Sequence, residues 1–152
     1  MTSAFDVETF LDATTTEALQ RRPPLPAGMD FTATLGQPKG REGEKDGRPW
    51  KAIDFPVEID LSAYPDVQKA LGGVDKAVLK YGFVLDINEG GMIDWGVGKN
   101  NRLRRLREAV NMNVPGQAFN MRAMQGRMIK VKIKHIPYEG EILDEIDSIA
   151  KV

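Results

Sequence analysis

The chain has 152 residues, of which 41% are hydrophobic, and its formal net charge is −1 at pH 7, which suits one domain with a core of its own. The absence of cysteine excludes disulfides, thiolate metal sites and cysteine nucleophiles. The N-terminus is too polar for a signal peptide and no apolar run approaches the roughly 20 residues that span a membrane, so we expect a cytoplasmic protein with no membrane partner.

The first 26 residues predict an arm and a connector. Residues 6–22 place acids early and arginines late, which suits a helix dipole, and the prolines within 23–26 stop the helix. We therefore expect an N-terminal helical arm with a proline-rich connector over residues 1–26. The domain proper is predicted to occupy residues 27–152.

The first half of the domain predicts three strands. Residues 29–35, 50–61 and 80–88 each alternate apolar and polar side chains, as half-buried strands do. Residues 36–49 are polar and rich in glycine, so we expect a long mobile loop there. Within the second strand, Pro56 predicts an edge position or a bulge.

Short helical and turn segments connect these strands to the rest of the domain. Residues 65–73 predict a helical turn, and residues 89–98 predict a hairpin rich in turns. In residues 100–113, apolar side chains recur at helical spacing, which makes this segment the clearest helix of the chain.

Residues 128–136 alternate strictly and predict a strand with two contrasting faces. Its faces are Ile129, Val131 and Ile133 against Lys130, Lys132 and Lys134. Such a row of lysines can protect an exposed edge or bind an anion. A turn follows at residues 137–140, and residues 141–152 fit either a helix, by spacing, or a hairpin partner, by their place after the turn.

This order of elements is typical of a mainly β protein with an OB-fold. In that fold, five strands form a small Greek-key barrel that binds nucleic acid over its face. We therefore expect a five-stranded β-barrel of this kind over residues 27–152. Its helix is predicted to lie between strands 3 and 4.

Positive charge is concentrated in one part of the chain. Residues 99–134 hold ten Lys or Arg against one acid, whereas residues 1–98 hold ten bases and sixteen acids, and residues 135–152 hold one base and five acids. The basic block therefore carries +9 between flanks of −6 and −4. This excess goes beyond what solubility needs and predicts an anionic partner such as nucleic acid.

Three stretches of the domain resemble bacteriophage single-stranded-DNA-binding proteins of the small OB-fold type. They are GKNNRLRRLREAVNMNVPGQAF, GRMIKVKIKH and YEGEILDEI. The resemblance implies sequence-independent binding of single-stranded DNA in phage replication or recombination, in the host cytoplasm. Bacterial single-strand binders often end in an acidic tail with an aromatic tip, whereas this chain ends in DSIAKV, so we do not expect such a tail to recruit replication enzymes.

Single-strand binders combine cations for the phosphates with aromatic faces for the bases. The candidate DNA-binding residues are Trp50, Lys51, Trp95, Lys99, Arg102, Arg105, Arg122, Arg127, Lys130, Lys132, Lys134 and Tyr138. The two tryptophans could equally be structural, and the arginines of the helix could form a solvated face. Asp54, Glu58 and Asp60 on the outer face of the second strand argue against a groove there, because they would repel DNA.

No combination of residues predicts an enzyme, a metal or a cofactor. His135 is the single histidine, and the chain offers no partner that would make it part of a triad or a transition-metal site. WGVGKNN does not complete a phosphate-loop motif. With Gly98 and Lys99 as its GK pair, Ile93 stands where the motif needs glycine and Asn100 where it needs Ser or Thr. The alternative to DNA binding is a structural or assembly protein of a virion, and either function allows a homo-oligomer.

Overall fold

A six-stranded antiparallel sheet dominates the structure, a computed structural model that describes residues 6–152. Its strands are β1 (Asp30–Leu35), β2 (Lys39–Lys45), β3 (Arg48–Asp60), β4 (Lys76–Val84), β5 (Met128–Tyr138) and β6 (Glu141–Ala150). The helices are α1 (Val7–Leu11), α2 (Pro65–Ala70) and α3 (Asn101–Ala109), with 3-10 turns at Leu61–Ala63 and Met121–Met124. The prediction of a mainly β protein is confirmed.

β3 is the centre of the sheet because it pairs along both of its edges. β4 takes one edge, while β2 and β1 share the other, β2 opposite residues 48–54 and β1 opposite residues 57–59. β1 also pairs with β5, and β5 pairs with β6. In the described part of the chain β4 and β6 are not hydrogen-bonded to each other, so the sheet is not a closed barrel.

Pro56 lies in this central strand, whereas its sequence context predicts an edge position or a bulge. Its carbonyl accepts a hydrogen bond of 2.7 Å from the Gly36 amide, on the edge of β3 that β1 and β2 share. A residue in a strand points its nitrogen and its carbonyl to the same edge, so the nitrogen of Pro56 faces the gap between β1 and β2. The sheet therefore loses no hydrogen bond at this proline.

The alternation of β5 is confirmed. Ile129, Val131 and Ile133 are at most 1% exposed, and each lysine between or beside them is exposed. Each fully buried apolar side chain of this size contributes roughly 1.5–3 kcal/mol to stability. β6 follows as the hairpin partner of β5, which decides between the two interpretations of residues 141–152.

Helix α3 completes the core beside β6. Leu103 and Leu106 are at most 1% exposed, and Ile146 and Ile149 of β6 pack against the same core cluster. The predicted helix of residues 100–113 is thus confirmed, although it ends at Ala109. It lies between the fourth and fifth strands because the sheet contains one strand more than predicted.

Most of the segment 36–49 belongs to a β-hairpin formed by residues 39–54, and the prediction of a mobile loop is wrong. β2 pairs with the first half of β3, and the turn between them is Asp46–Gly47, with positive φ angles of 53° and 75°. Two left-handed residues in succession define the hairpin turn that Asp-Gly favours. The sequence of β2 does not alternate apolar and polar residues, because most of this strand is exposed and covers no core.

The arm is less helical than predicted. Within the described residues, only Val7–Leu11 of this region is helical, and residues 1–5 lie outside the description. Threonines at positions 14–16 disfavour a longer helix because they are β-branched. None of the helices in residues 6–152 is long and apolar enough to cross a membrane.

Two further boundaries differ from the predictions. The third predicted strand begins at Lys76, earlier than expected, and ends at Val84. The predicted hairpin of residues 89–98 is a looped segment with a single bridge, between Ile87 and Ile93. Its glycines and short polar side chains favour turns over a continuous ladder.

Candidate nucleic-acid interface

A groove runs from the β2–β3 hairpin to the opening between β4 and β6. Two pockets, of about 710 and 430 Å³, adjoin at Arg41 and Val84 and together form it; we call it the Trp50 groove. The bases that line it are Arg41, Lys45, Arg48, Lys80, Arg102 and Lys134, and the acids are Asp46, Asp54 and Glu145. Bases therefore outnumber acids two to one along the groove.

Trp50 provides the aromatic surface of this groove. It lies half-buried on the face of β3 opposite Phe55, as the alternation of the sequence predicts. The indole lies against Gly43 of β2, since a Cβ atom at that glycine would come within 2.5 Å of a ring carbon. The Arg41 guanidinium lies 5.5 Å from the ring centroid. Both contacts hold the indole in place on the hairpin.

Acids on the outer face of β3 are compensated locally. The Asp54 carboxylate accepts hydrogen bonds from Nε and Nη2 of Arg41, and these raise the pKa of Arg41 above its ordinary value. Asp60 accepts two hydrogen bonds from Ser62, which lower the pKa of Asp60, and Glu58 pairs with a lysine of β4. Glu58 and Asp60 also lie outside the groove lining, so the repulsion that the sequence predicts is confined to Asp54, which is paired.

Five of the groove cations form no ion pair within residues 6–152. They are Lys45, Arg48, Lys80, Arg102 and Lys134. A cation without a protein carboxylate is available to a phosphate group without first breaking an internal contact. The charge of the groove is therefore free to act on a ligand.

Arg102 is fixed at the far end of the groove. Its guanidinium lies 4.4 Å from the centroid of the Tyr81 ring, and its Nε donates to the Gly82 carbonyl at 2.9 Å. In return the Tyr81 hydroxyl donates to the Arg102 carbonyl at 2.8 Å, and burial raises the pKa of Tyr81. These bonds attach the start of α3 to β4 and orient Arg102.

The structure brings three of the predicted DNA-binding residues together in this groove: Trp50, Arg102 and Lys134. Trp95 and Lys99 line another pocket, of about 500 Å³, beside α3. The remaining candidates are exposed and lie outside the Trp50 groove and the pocket beside α3: Lys51, Arg105, Arg122, Arg127, Lys130, Lys132 and Tyr138.

The row of lysines on β5 has acidic neighbours across the sheet. Lys132 lies opposite Asp30 of β1 and Ser148 of β6, and Lys134 lies opposite Glu145. Opposite charges at facing positions attract each other, so the row is less positive than its sequence implies. Lys134 differs from its neighbours in lining the groove.

Sequence reasoning missed the groove cations of the first half of the chain. Arg41, Lys45 and Arg48 fall in the segment interpreted as a loop, and Lys80 falls in a region that is acidic overall. The signal that could have found the first three is Asp46–Gly47, the preferred two-residue turn of a β-hairpin.

His135 and Asp144 tie the connector to the last two strands. A ring nitrogen of His135 lies 2.6 Å from the Leu25 carbonyl, and the Asp144 carboxylate accepts the Leu25 amide at 2.8 Å and pairs with Arg22 at 2.9 Å. Leu25 is fully buried. These contacts give His135 a structural role, and within residues 6–152 no group of three or more His, Asp or Glu could hold a metal ion.

No protein-family model matches this chain, and the comparison with curated proteins gives no match.

Replacing Gly43 with alanine should displace the Trp50 indole, because the new methyl group would overlap the ring. In a protein where Trp95→Phe leaves Trp50 as the one tryptophan, we expect Gly43→Ala to shift the fluorescence emission of Trp50. Gly40→Ala on the same strand is the matched control, since nothing lies within 4 Å of its Cβ. Equal emission spectra for the two alanine variants would contradict the contact between Trp50 and Gly43.

Proposed function

We propose that this chain is a single-stranded-DNA-binding protein of the bacteriophage type that protects the strand during replication or recombination. The observation that carries the proposal is the Trp50 groove, where a fixed aromatic ring shares a lining with five cations that form no ion pair within residues 6–152. Stacking surfaces combined with a positive groove are the features that bind single strands without sequence preference.

The groove suggests a division of roles among its residues. Arg48, Lys80 and Lys134 contact phosphates, while a base stacks on Trp50, a contact worth roughly 1–3 kcal/mol. Stacking accepts every base, because every base has a π-face. In a duplex the bases are already stacked and paired, so we expect single strands to bind better than duplexes.

The sheet topology supports an OB-fold for this protein. Strands β4, β3, β1, β5 and β6 are neighbours in that order, and α3 lies between β4 and β5 in the chain. The first four of these strands follow the spatial order of a Greek key, which supports a partly open five-stranded barrel in which the β2 hairpin would extend the loop between the first two barrel strands. We propose that β4 and β6 form the open seam.

Titration with oligonucleotides over a range of salt concentrations tests the proposed function. We expect single-stranded DNA affinity to fall with salt, with a log–log slope of about −0.7 for each phosphate neutralised, and duplex to bind more weakly. A chelator should leave the affinity unchanged. An affinity independent of salt, or a preference for duplex, would contradict the proposal, and self-association without any DNA binding would favour a structural or assembly protein.

A further inference from the structure

We infer that the bound strand continues beyond the Trp50 groove to a second base-stacking site at Trp95. This inference rests on the proposed function, and it extends the path of the strand around the start of α3. The pocket of about 500 Å³ beside α3, with Trp95, Lys99, Arg104 and Arg107 in its lining, is called the Trp95 site.

Trp95 is an exposed ring that the protein holds in a fixed position. Trp95 is 58% exposed, and its ring centroid lies 6.3 Å from that of Phe119 in an edge arrangement. The Arg107 guanidinium lies 3.9 Å from the Phe119 centroid and 5.6 Å from that of Trp95, and its Nε donates to the Met112 carbonyl at 3.0 Å. Arg107 thus positions both rings and leaves more than half of the Trp95 surface open to a ligand.

The loop before Trp95 is anchored as well. Asn100 is 7% exposed. Its Nδ2 donates a hydrogen bond of 2.8 Å to the Asp94 carbonyl, and its Oδ1 accepts one of 2.8 Å from the Asp86 amide. The Asp94 amide donates to the Asp86 carbonyl at 2.9 Å. The residue next to Trp95 is therefore bonded on both of its backbone groups, which removes conformational freedom before any ligand arrives.

The charges around Trp95 suit a phosphate. Lys99, Arg104 and Arg107 line the site together with one acid, Asp94. Arg104 pairs with Glu108 at 2.8 Å, whereas Lys99 forms no ion pair within residues 6–152. Lys99 is therefore the phosphate contact of this site, and Trp95 is its stacking surface.

The Trp95 site adjoins the end of the groove. Arg102 lines the groove, while its neighbours Asn101 and Leu103 line the Trp95 site. Consecutive residues of the first turn of α3, whose Cα atoms are about 3.8 Å apart, therefore contribute to both linings. A strand that leaves the groove at Arg102 reaches Trp95 next, whereas Lys130 and Lys132 lie on β5, outside both pockets.

Two single-tryptophan proteins test this path. Trp50→Phe leaves Trp95 as the reporter, and Trp95→Phe leaves Trp50; each is titrated with oligo-dT from about 4 to about 16 nucleotides, the range covered by one OB-fold. We expect short oligonucleotides to quench Trp50 alone and longer ones to quench Trp95 also. Trp95→Ala and, independently, Lys99→Gln should reduce the ratio of long- to short-oligonucleotide affinity, the former about tenfold.

The outcomes separate the inference from the proposed function. The second site would be overturned if oligonucleotides of every length quenched Trp50 but left Trp95 emission unchanged, and if Trp95→Ala and Lys99→Gln left the affinity ratio unchanged. The proposal for the Trp50 groove would then still stand. Absence of binding by any oligonucleotide would overturn the proposed function itself. Lys99→Gln leaves the aromatic cluster intact, so its result does not depend on the folding of a Trp95 variant.

Discussion

Replacing Lys80 and Lys134 together with glutamate is expected to weaken single-stranded DNA binding by about a hundredfold or more. Each lysine lines the groove and forms no ion pair in the described part of the chain, and hydrogen bonds to charged groups contribute roughly 1.5–3 kcal/mol each. Glutamate adds repulsion to the lost contact. Gel shift or fluorescence anisotropy at fixed salt measures the effect.

The matched control is Lys130→Glu with Lys132→Glu. It makes the same change in net charge with the same residue types, on exposed positions of β5 that lie outside the groove. We expect a loss of only a few fold, from long-range repulsion that salt screens. Exposed substitutions typically change stability by no more than about 0.5 kcal/mol, so both double variants should fold. Equal losses in the two would contradict a specific role for the groove lysines, and a larger loss in the control would place the DNA along the lysine row.

Replacing Trp50 with alanine is expected to weaken binding by roughly 5- to 150-fold, the equivalent of about 1–3 kcal/mol for one stacked base. The salt dependence should not change, because no charge is removed. Trp50→Phe keeps an aromatic face and should retain most of the affinity. Oligonucleotide titration at several salt concentrations measures both quantities.

The control for the Trp50 variants is a check that the hairpin of β2 and β3 remains folded. Circular dichroism should show the wild-type spectrum, since β2 and β3 pair through their backbones along the whole ribbon. A folded Trp50→Ala protein with undiminished affinity would exclude stacking on this ring. A lower salt slope in the same protein would mean that Trp50 acts by positioning Arg41, which lies over it.

Apolar alternation made much of the fold predictable from sequence. β1, β3, β4 and β5 each bury one face in the core, and burial requires the period of two that their sequences display. β2 covers no core and carries two glycines, so its pairing left no hydrophobic pattern to recognise. The closure of the sheet depends on how far its strands twist and curl, which no single sequence pattern expresses.

The candidate site was less predictable because it gathers residues from distant parts of the chain. Trp50 could be assigned to the outer face by counting from Phe55, but its neighbour Arg41 comes from a ribbon that was not foreseen. Lys80 of β4 and Lys134 of β5 line the same pocket although their strands are not neighbours in the sheet. The charge of a segment therefore did not predict the charge of a surface.

Backbone amide shifts on titration with oligo-dT of about ten nucleotides, within the range bound by one OB-fold, test the central claim most directly. The claim is that single-stranded DNA occupies the Trp50 groove. We expect the largest shifts at Gly82 and Lys134, which line the groove, and at Gly43, which lies against the Trp50 ring. Shifts confined to Lys130 and Lys132, or no shifts at all, would contradict it.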